Sequence, residues 1–380
     1  MKVGIMSMQR VINFGSYMQA LALKTMIEDL GHEVVFVDYK ARPSIRHRRS
    51  AFYWLNRSKK AIKNTRFVWA CSNIYRKRPI GYRPPTEVRA DAKAFAPALE
   101  ELGVEPDKFN YRTEVDVLVI GSDEVFNCLQ DSDNVGFSPE LFGENNRAGK
   151  LISYAASFGN TTLARLNEYG VSKKIGRYLN HFDALSVRDE NSAEIVRSLT
   201  GREPFQHLDP ALIGGVEKME WQSISAKGYI GIYAYSNRIT AEEGKAISSY
   251  AKNNGLKVLC LNGPQKKAGF DAVKNCSPKE MLPYVKNADK IVTDTFHGTI
   301  FAIINHIPFA VICRKQTDTS YSNSEKLLDM LKKLNLMDRL LSSENDLEKV
   351  FSNEIDFASV DRIRSREKDA AIDYLRTQLG

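Results

Sequence analysis

The sequence predicts an α/β protein made of two doubly wound units that face one another. Three observations carry this. Short apolar runs of strand length alternate with amphipathic stretches of helix length, the pattern of parallel sheets with crossover helices. The alternation occurs twice in succession, with a join near residues 210–226. The length of 380 residues suits two domains. The expected division is 1–212, 213–358 and a terminal helix over 359–380 that can pack back on the first unit.

In the first unit, KVGIMS (2–7) reads as a buried strand, and 16–30 as a helix with Tyr17, Leu21, Leu23, Met26, Ile27 and Leu30 near a 3.6-residue period. Gly31 ends that helix, and EVVFVDY (33–39) is the next strand, completing a strand–helix–strand unit. An alanine- and acid-rich helix is expected near 87–102, then strands at 115–120 and from Lys150 (KLISYAA). One helix near 161–180, the strand ALSVRD (184–189), the helix NSAEIVRSL and a short strand near Gln206–Leu208 follow. In the second unit, strands are expected at 228–235, 256–262, 290–294 and 308–313. Helices are expected at 240–253 (Ala241, Ile247 and Tyr250 inward), 278–287, 297–305, 324–334 and 360–378. The strands are near-continuous apolar runs, as in sheets covered on both faces.

The charge is uneven. The chain has 54 Lys/Arg and 46 Asp/Glu, a net of +8. Yet 14 of the bases lie between Lys40 and Arg83, in a stretch without a single acid, which leaves 40 bases against 46 acids elsewhere. A histone-like or ribosomal protein is therefore not expected. Seven aromatics (Phe52, Tyr53, Trp54, Phe67, Trp69, Tyr75, Tyr82) are interleaved with these bases. Docking on an anionic membrane surface and a solvated charged insertion both fit this composition. Nucleic acid is not expected, because no known nucleic-acid motif accompanies the segment. Five unpaired-looking cysteines, no signal peptide and no apolar run of membrane-spanning length point to the cytoplasm, with room for peripheral attachment at the inner membrane face.

The loops at strand carboxyl ends are where open α/β sheets bind ligands. The loop 9–16 (QRVINFGS) enters a helix N-terminus, so Asn13, Gly15 and Ser16 form either an anion- or acceptor-binding loop or a plain strand–helix turn. In GSDEVFN (121–127), Asp123 stands where a carboxylate can orient or deprotonate a hydroxyl, or can cap a turn, and Asn127 is expected in the acceptor- or anion-binding loop. In SVRD (186–189), Arg188 offers a planar fork for a carboxylate or phosphate, or a structural pair with Asp189, Glu190 or Asp209. In TDTFHGT (293–299), Asp294 lies at a strand exit and is expected in the acceptor- or anion-binding loop, His297 opens a buried helix, and Gly298 permits close backbone approach. Arg314 and Lys315 follow the last strong strand and can hold an anion. His207 in HLDP can orient Asp209. No GxGxxG, GxSxG, HExxH, Walker A or DxDxDG pattern occurs, and no metal site is expected.

Taken together, NFGSYMQALAL (13–23), GSDEVFN (121–127), ISYAASFG (152–159), SVRDENS (186–192), LDPALI (208–213) and TDTFHGTIFAI (293–303) resemble, in order, the polysaccharide pyruvyl transferase family. The likeness spans about residues 1–315. It departs from the usual GSDQVWN at Glu124 and Phe126. The resemblance implies two Rossmann-like domains in a glycosyltransferase-B-like arrangement, with the site in the cleft. It implies transfer of a pyruvyl group from phosphoenolpyruvate, a co-substrate with no other cofactor, to two sugar hydroxyls as a cyclic ketal in exopolysaccharide, capsule or cell-wall assembly. The acceptor sugar can be polyprenyl-linked. By the same resemblance Arg188 and His297 are donor-site residues, with Arg314 or Lys315 as the nearest further base. Two other readings share the architecture: a nucleotide-sugar glycosyltransferase, and a non-catalytic scaffold that binds glycan or lipid carrier.

Overall fold

The computed structural model describes residues 1–47, 85–105, 108–111, 114–130, 135–271, 273, 276–314, 324–343 and 346–380. Most of the basic segment 40–83, and Lys315, lie outside them.

The first sheet is wholly parallel. It contains β1 (Lys2–Met6), β2 (Glu33–Phe36), β3 (Val117–Asp123), β4 (Lys150–Ala156), β5 (Ser186–Val187) and β6 (Phe205–Gln206), in the order β2-β1-β3-β4-β5-β6. The second contains β7 (Tyr229–Tyr233), β8 (Lys257–Cys260), β9 (Lys290–Thr293) and β10 (Phe309–Val311), parallel in the order β10-β9-β7-β8. The connecting helices are α1 (Phe14–Glu28), α2 (Pro85–Glu101), α3 (Leu163–Glu168), α4 (Ser172–Leu179), α5 (Glu190–Thr200) and α6 (Pro210–Ile213). The second half adds α7 (Ala241–Asn253), α8 (Pro278–Lys286), α9 (Phe296–Ile304), α10 (Ser324–Lys333), α11 (Leu347–Ser352) and α12 (Phe357–Leu379).

Side-chain alternation explains how the sheets stack. In the first, Val3, Ile5, Val117, Val119, Ile152 and Tyr154 face one apolar cluster, and Met6, Leu118, Ile120 and Leu151 face another. In the second, Tyr229, Tyr233, Ile291, Phe309 and Val311 enter that same first cluster, while Ile230, Ile232, Val292 and Ala310 face a third. One apolar layer, filled by residues of α1, α6, α8, α9 and α12, is therefore shared by both halves. The expected pair of Rossmann-like, doubly wound units facing across a cleft is what the chain builds.

Two local expectations are corrected. The single helix over 161–180 is two, because Gly170 at φ 66° takes the left-handed conformation that ends α3. In α7 the buried face is Gly244, Ile247, Tyr250 and Ala251, and Ala241 is exposed at the first turn, beside the capping box of Thr240 and Glu243.

Helix α12 returns to the first half. Tyr374 Oη donates to the Ser153 carbonyl at 2.7 Å, Lys150 Nζ to that of Gln378 at 2.7 Å, and Arg364 Nε to that of Leu212 at 2.9 Å. Beneath it, His207 stacks with Tyr154 (centroids 5.6 Å) and touches Tyr374 (4.8 Å), with Nδ1 2.8 Å from Ser186 Oγ. His207 thus anchors Ser186 and the terminal helix, where the sequence suggested Asp209. Burial first, and the Lys333 ammonium second, push its imidazole down to about 4. A folded value below the unfolded one means that the unfolded state binds more protons between them. Stability should then fall as pH drops from about 6.5 to about 4, by up to about 3 kcal/mol. Urea unfolding at pH 7 and 4.5 should show a smaller acid loss for His207→Gln than for the wild-type protein.

Candidate functional site

The site forms where the carboxyl ends of the first sheet meet the N-terminus of α9 from the second. Its centre is the carboxylate of Asp209, which is fully buried. One oxygen accepts the Ala211 N–H at 3.0 Å, capping α6. The other is paired with Arg188 Nη1, accepts from Ser122 Oγ at 3.4 Å and lies 3.7 Å from His297 Nε2. Arg188 also brings Nη2 to 3.5 Å from Asp123 Oδ1, and its guanidinium lies 4.5 Å from the Phe296 ring centre. Arg188 is thus a paired residue and a cleft residue at once, its partners being Asp209 and Asp123.

Asp123 is the last residue of β3 and has φ at 77°, a costly conformation for a residue with a side chain. Its Oδ2 accepts from Ser16 Oγ at 3.0 Å. Burial pushes the Asp123 carboxyl up, but His297, Arg188 and Lys326 together outweigh burial and hold it below its usual range. Burial opposes ionisation of Asp209 as well, and His297 and Arg188 again prevail, leaving it far below the usual range. Both carboxylates are ionised at neutral pH.

His297 is set by the start of α9. Thr295 Oγ1 accepts the Gly298 N–H at 3.0 Å as N-cap, and Gly298 has no room for a side chain: a Cβ would lie 2.3 Å from Thr293 Oγ1. The first turn of α1 presses on the His297 ring from the other half, so that a Cβ on Gly15 would lie 2.2 Å from Nδ1. Among the described residues, Arg188 Nε and Nη2 and His297 Nε2 are buried without a hydrogen-bond partner.

Two cavities flank this centre. The first, about 300 Å³, is lined by Asn13, Ser16, Asp123, Glu124, Tyr235, Phe296, His297 and Lys326, with Met8, Val11 and Ile12 as an apolar wall. The second, about 380 Å³, is lined by Arg188, Gln206, Asp209, Phe296, Lys326 and Lys333 among others.

The other expected residues are placed differently. The Asn13 carboxamide oxygen already accepts the Gly15 and Ser16 N–H groups, at 2.8 and 3.3 Å, so the N–H groups expected to hold an anion serve the helix cap. Asn127 is buried and holds the loop, donating to Glu124 at 2.8 Å and accepting from Thr161 Oγ1 at 2.9 Å. Arg314 grips Glu243 at 2.6 and 2.8 Å and lies 3.4 Å from Asp294, which also pairs with Arg238 at 2.7 Å. Neither Arg314 nor Asp294 lines either cavity. Sequence reasoning missed Lys326, Phe296 and Tyr235, which sit on a helix face, between two stronger signals and in a loop. Among the described residues no His, Cys, Asp or Glu cluster suits a metal ion, and no helix is long and apolar enough to cross a membrane.

The Gly15–His297 contact is directly testable. Gly15→Ala should destabilise the protein by about 1–3 kcal/mol through overpacking, and should shift the His297 imidazole resonances in NMR spectra. Unchanged urea midpoint and unchanged resonances would contradict this contact.

No curated protein matches the sequence. Solved structures similar over most of their length include the Staphylococcus aureus MnaA–UDP complex (11% identity, TM-score 0.45, 97% of this chain and 90% of that one). The Neisseria meningitidis UDP-GlcNAc 2-epimerase bound to UDP-GlcNAc is similar at 10% identity and TM-score 0.45, covering 100% and 99%. The Streptomyces sp. SF2575 glycosyltransferase SsfS6 with thymidine diphosphate is similar at 11% identity and TM-score 0.41, covering 99% of each chain. The family model for polysaccharide pyruvyl transferase matches residues 13–313, a span that takes in Asn13, Asp123, Arg188, Asp209 and His297, and the chain belongs to that family.

Proposed function

We propose that the protein transfers the pyruvyl group of phosphoenolpyruvate to two hydroxyls of a sugar, closing a cyclic ketal and releasing phosphate. The observation that carries this reading is the set of buried, unpartnered donors on Arg188 and His297 beside two ionised carboxylates. Phosphoenolpyruvate brings a carboxylate and a phosphate, and both need fixed donors in a water-poor site.

In the chemistry, one sugar hydroxyl adds to C2 while a proton is delivered to the methylene carbon C3. The C2–O bond to phosphate then breaks, and the second hydroxyl adds to C2 and gives up its proton. One hydroxyl proton is thereby matched by the new C–H bond, and the other leaves with phosphate. Arg188 binds the anionic donor through its free N–H groups. His297 holds the phosphate or delivers the proton to C3. Asp123, ionised and steered by Ser16, accepts the hydrogen bond of an incoming hydroxyl. Tyr235, 38% exposed and lining the first cavity, offers a face for the sugar ring.

Phosphate release from phosphoenolpyruvate with a galactoside or lipid-linked oligosaccharide tests this. His297→Ala and Arg188→Lys should each lower kcat/KM by about 10²–10⁴. Full turnover in both would overturn the assignment. The acid-free segment 40–83 is proposed to bring the protein to its acceptor at the membrane face. Co-sedimentation with anionic but not neutral liposomes is then expected, and equal binding to both would refute it.

A further inference from the structure

The two cavities share one wall, made by Phe296 and Lys326. The Lys326 ammonium lies 5.2 Å from the centre of the Phe296 ring, and the Arg188 guanidinium lies 4.5 Å from the same centre. Lys326 comes from α10 in the second half, yet its close partner is Glu124, directly after β3 in the first. Both side chains are almost fully buried, at 9% and 6% exposure. Glu124 is also tethered by Asn127 Nδ2 at 2.8 Å and faces the first cavity.

The charges decide what this pair is for. Three carboxylates, on Asp123, Glu124 and Asp209, stand against the permanent cations Arg188 and Lys326. The unused N–H groups of Arg188 and His297 can take part of a donor that carries both a carboxylate and a phosphate, but its remaining charge meets a Lys326 already matched by Glu124, and that part can enter only by exchange. Asp209 is fully buried and pinned by Arg188 and the cap of α6, and Asp123, which lines the first cavity beside Glu124, is held by Ser16 and Arg188; Glu124 keeps Asn127 as an alternative partner when Lys326 leaves it. Glu124 is therefore the carboxylate that can give way.

We infer that Lys326 is a binding residue for the anionic donor and that Glu124 is the internal anion it exchanges for a donor oxyanion. This rests on phosphoenolpyruvate as donor. A pair that merely staples the two halves together predicts that losing either residue does the same harm. Exchange predicts opposite signs, since Lys326→Met removes a donor contact and Glu124→Gln removes its competitor.

Calorimetric titration of phosphoenolpyruvate into the full chain separates these. Lys326→Met should weaken binding at least tenfold, and Glu124→Gln should tighten it severalfold over wild type. Equal weakening in both variants, or unchanged binding in Lys326→Met, overturns the inference while leaving the donor reading in place. Absence of binding to the wild-type chain overturns both. If Lys326→Met does not give a cooperative thermal transition, Glu124→Gln decides alone: affinity that fails to rise counts against exchange.

Discussion

The carboxylate of Asp209 is the constraint on which the site depends. Arg188 is buried, and a buried guanidinium without a counter-charge would cost several kcal/mol. Asp209 supplies that charge and in doing so fixes four elements: Ser122 from β3, Arg188 after β5, its own cap on α6, and His297 from α9 of the other half. Burial opposes its ionisation, and the neighbouring His297 and Arg188 overcome that opposition. The cations then remain fixed while part of their hydrogen-bonding capacity stays unused. That is the pre-organisation an anion-binding site needs, since little has to rearrange when the ligand arrives.

A fixed centre between two halves requires halves that stay in register. The shared apolar layer provides this, because alternate residues of both sheets enter one cluster. Helix α12 adds a tie across it through Tyr374, Lys150 and Arg364. The contact of Gly15 with His297 is a consequence of this close docking: only a residue without a side chain lets the first turn of α1 approach the ring. The small residues that looked like turn formers in the sequence therefore also set the spacing across the cleft.

Much of the fold was legible because buried parallel strands are apolar runs that cannot be mistaken for amphipathic helices at this spacing. The break at Gly170 was not, because an isolated glycine inside a periodic stretch is compatible with a continuous helix. At the site, Asp123, Arg188 and His297 were legible as chemical groups at strand exits. Arg314 gave the same signal as Arg188, but Glu243, placed by the capping box of α7, draws its guanidinium away. Which of two equivalent strand-end arginines enters the cleft depends on a tertiary partner that no local pattern reveals. Lys326 was hidden for the opposite reason, since it sits on an amphipathic helix where a lysine reads as solvated surface.

These placements also bear on the charge of the whole chain. The net charge of +8 does not extend to the cleft. The described centre is instead closely balanced, with carboxylates from Asp123, Glu124 and Asp209 facing Arg188 and Lys326. Balance has a physical advantage in a buried cleft. Cations left bare would have to stay hydrated or be destabilised, whereas cations held by internal carboxylates are desolvated once, during folding. A ligand oxyanion that replaces such a carboxylate inherits a site already dry and aligned.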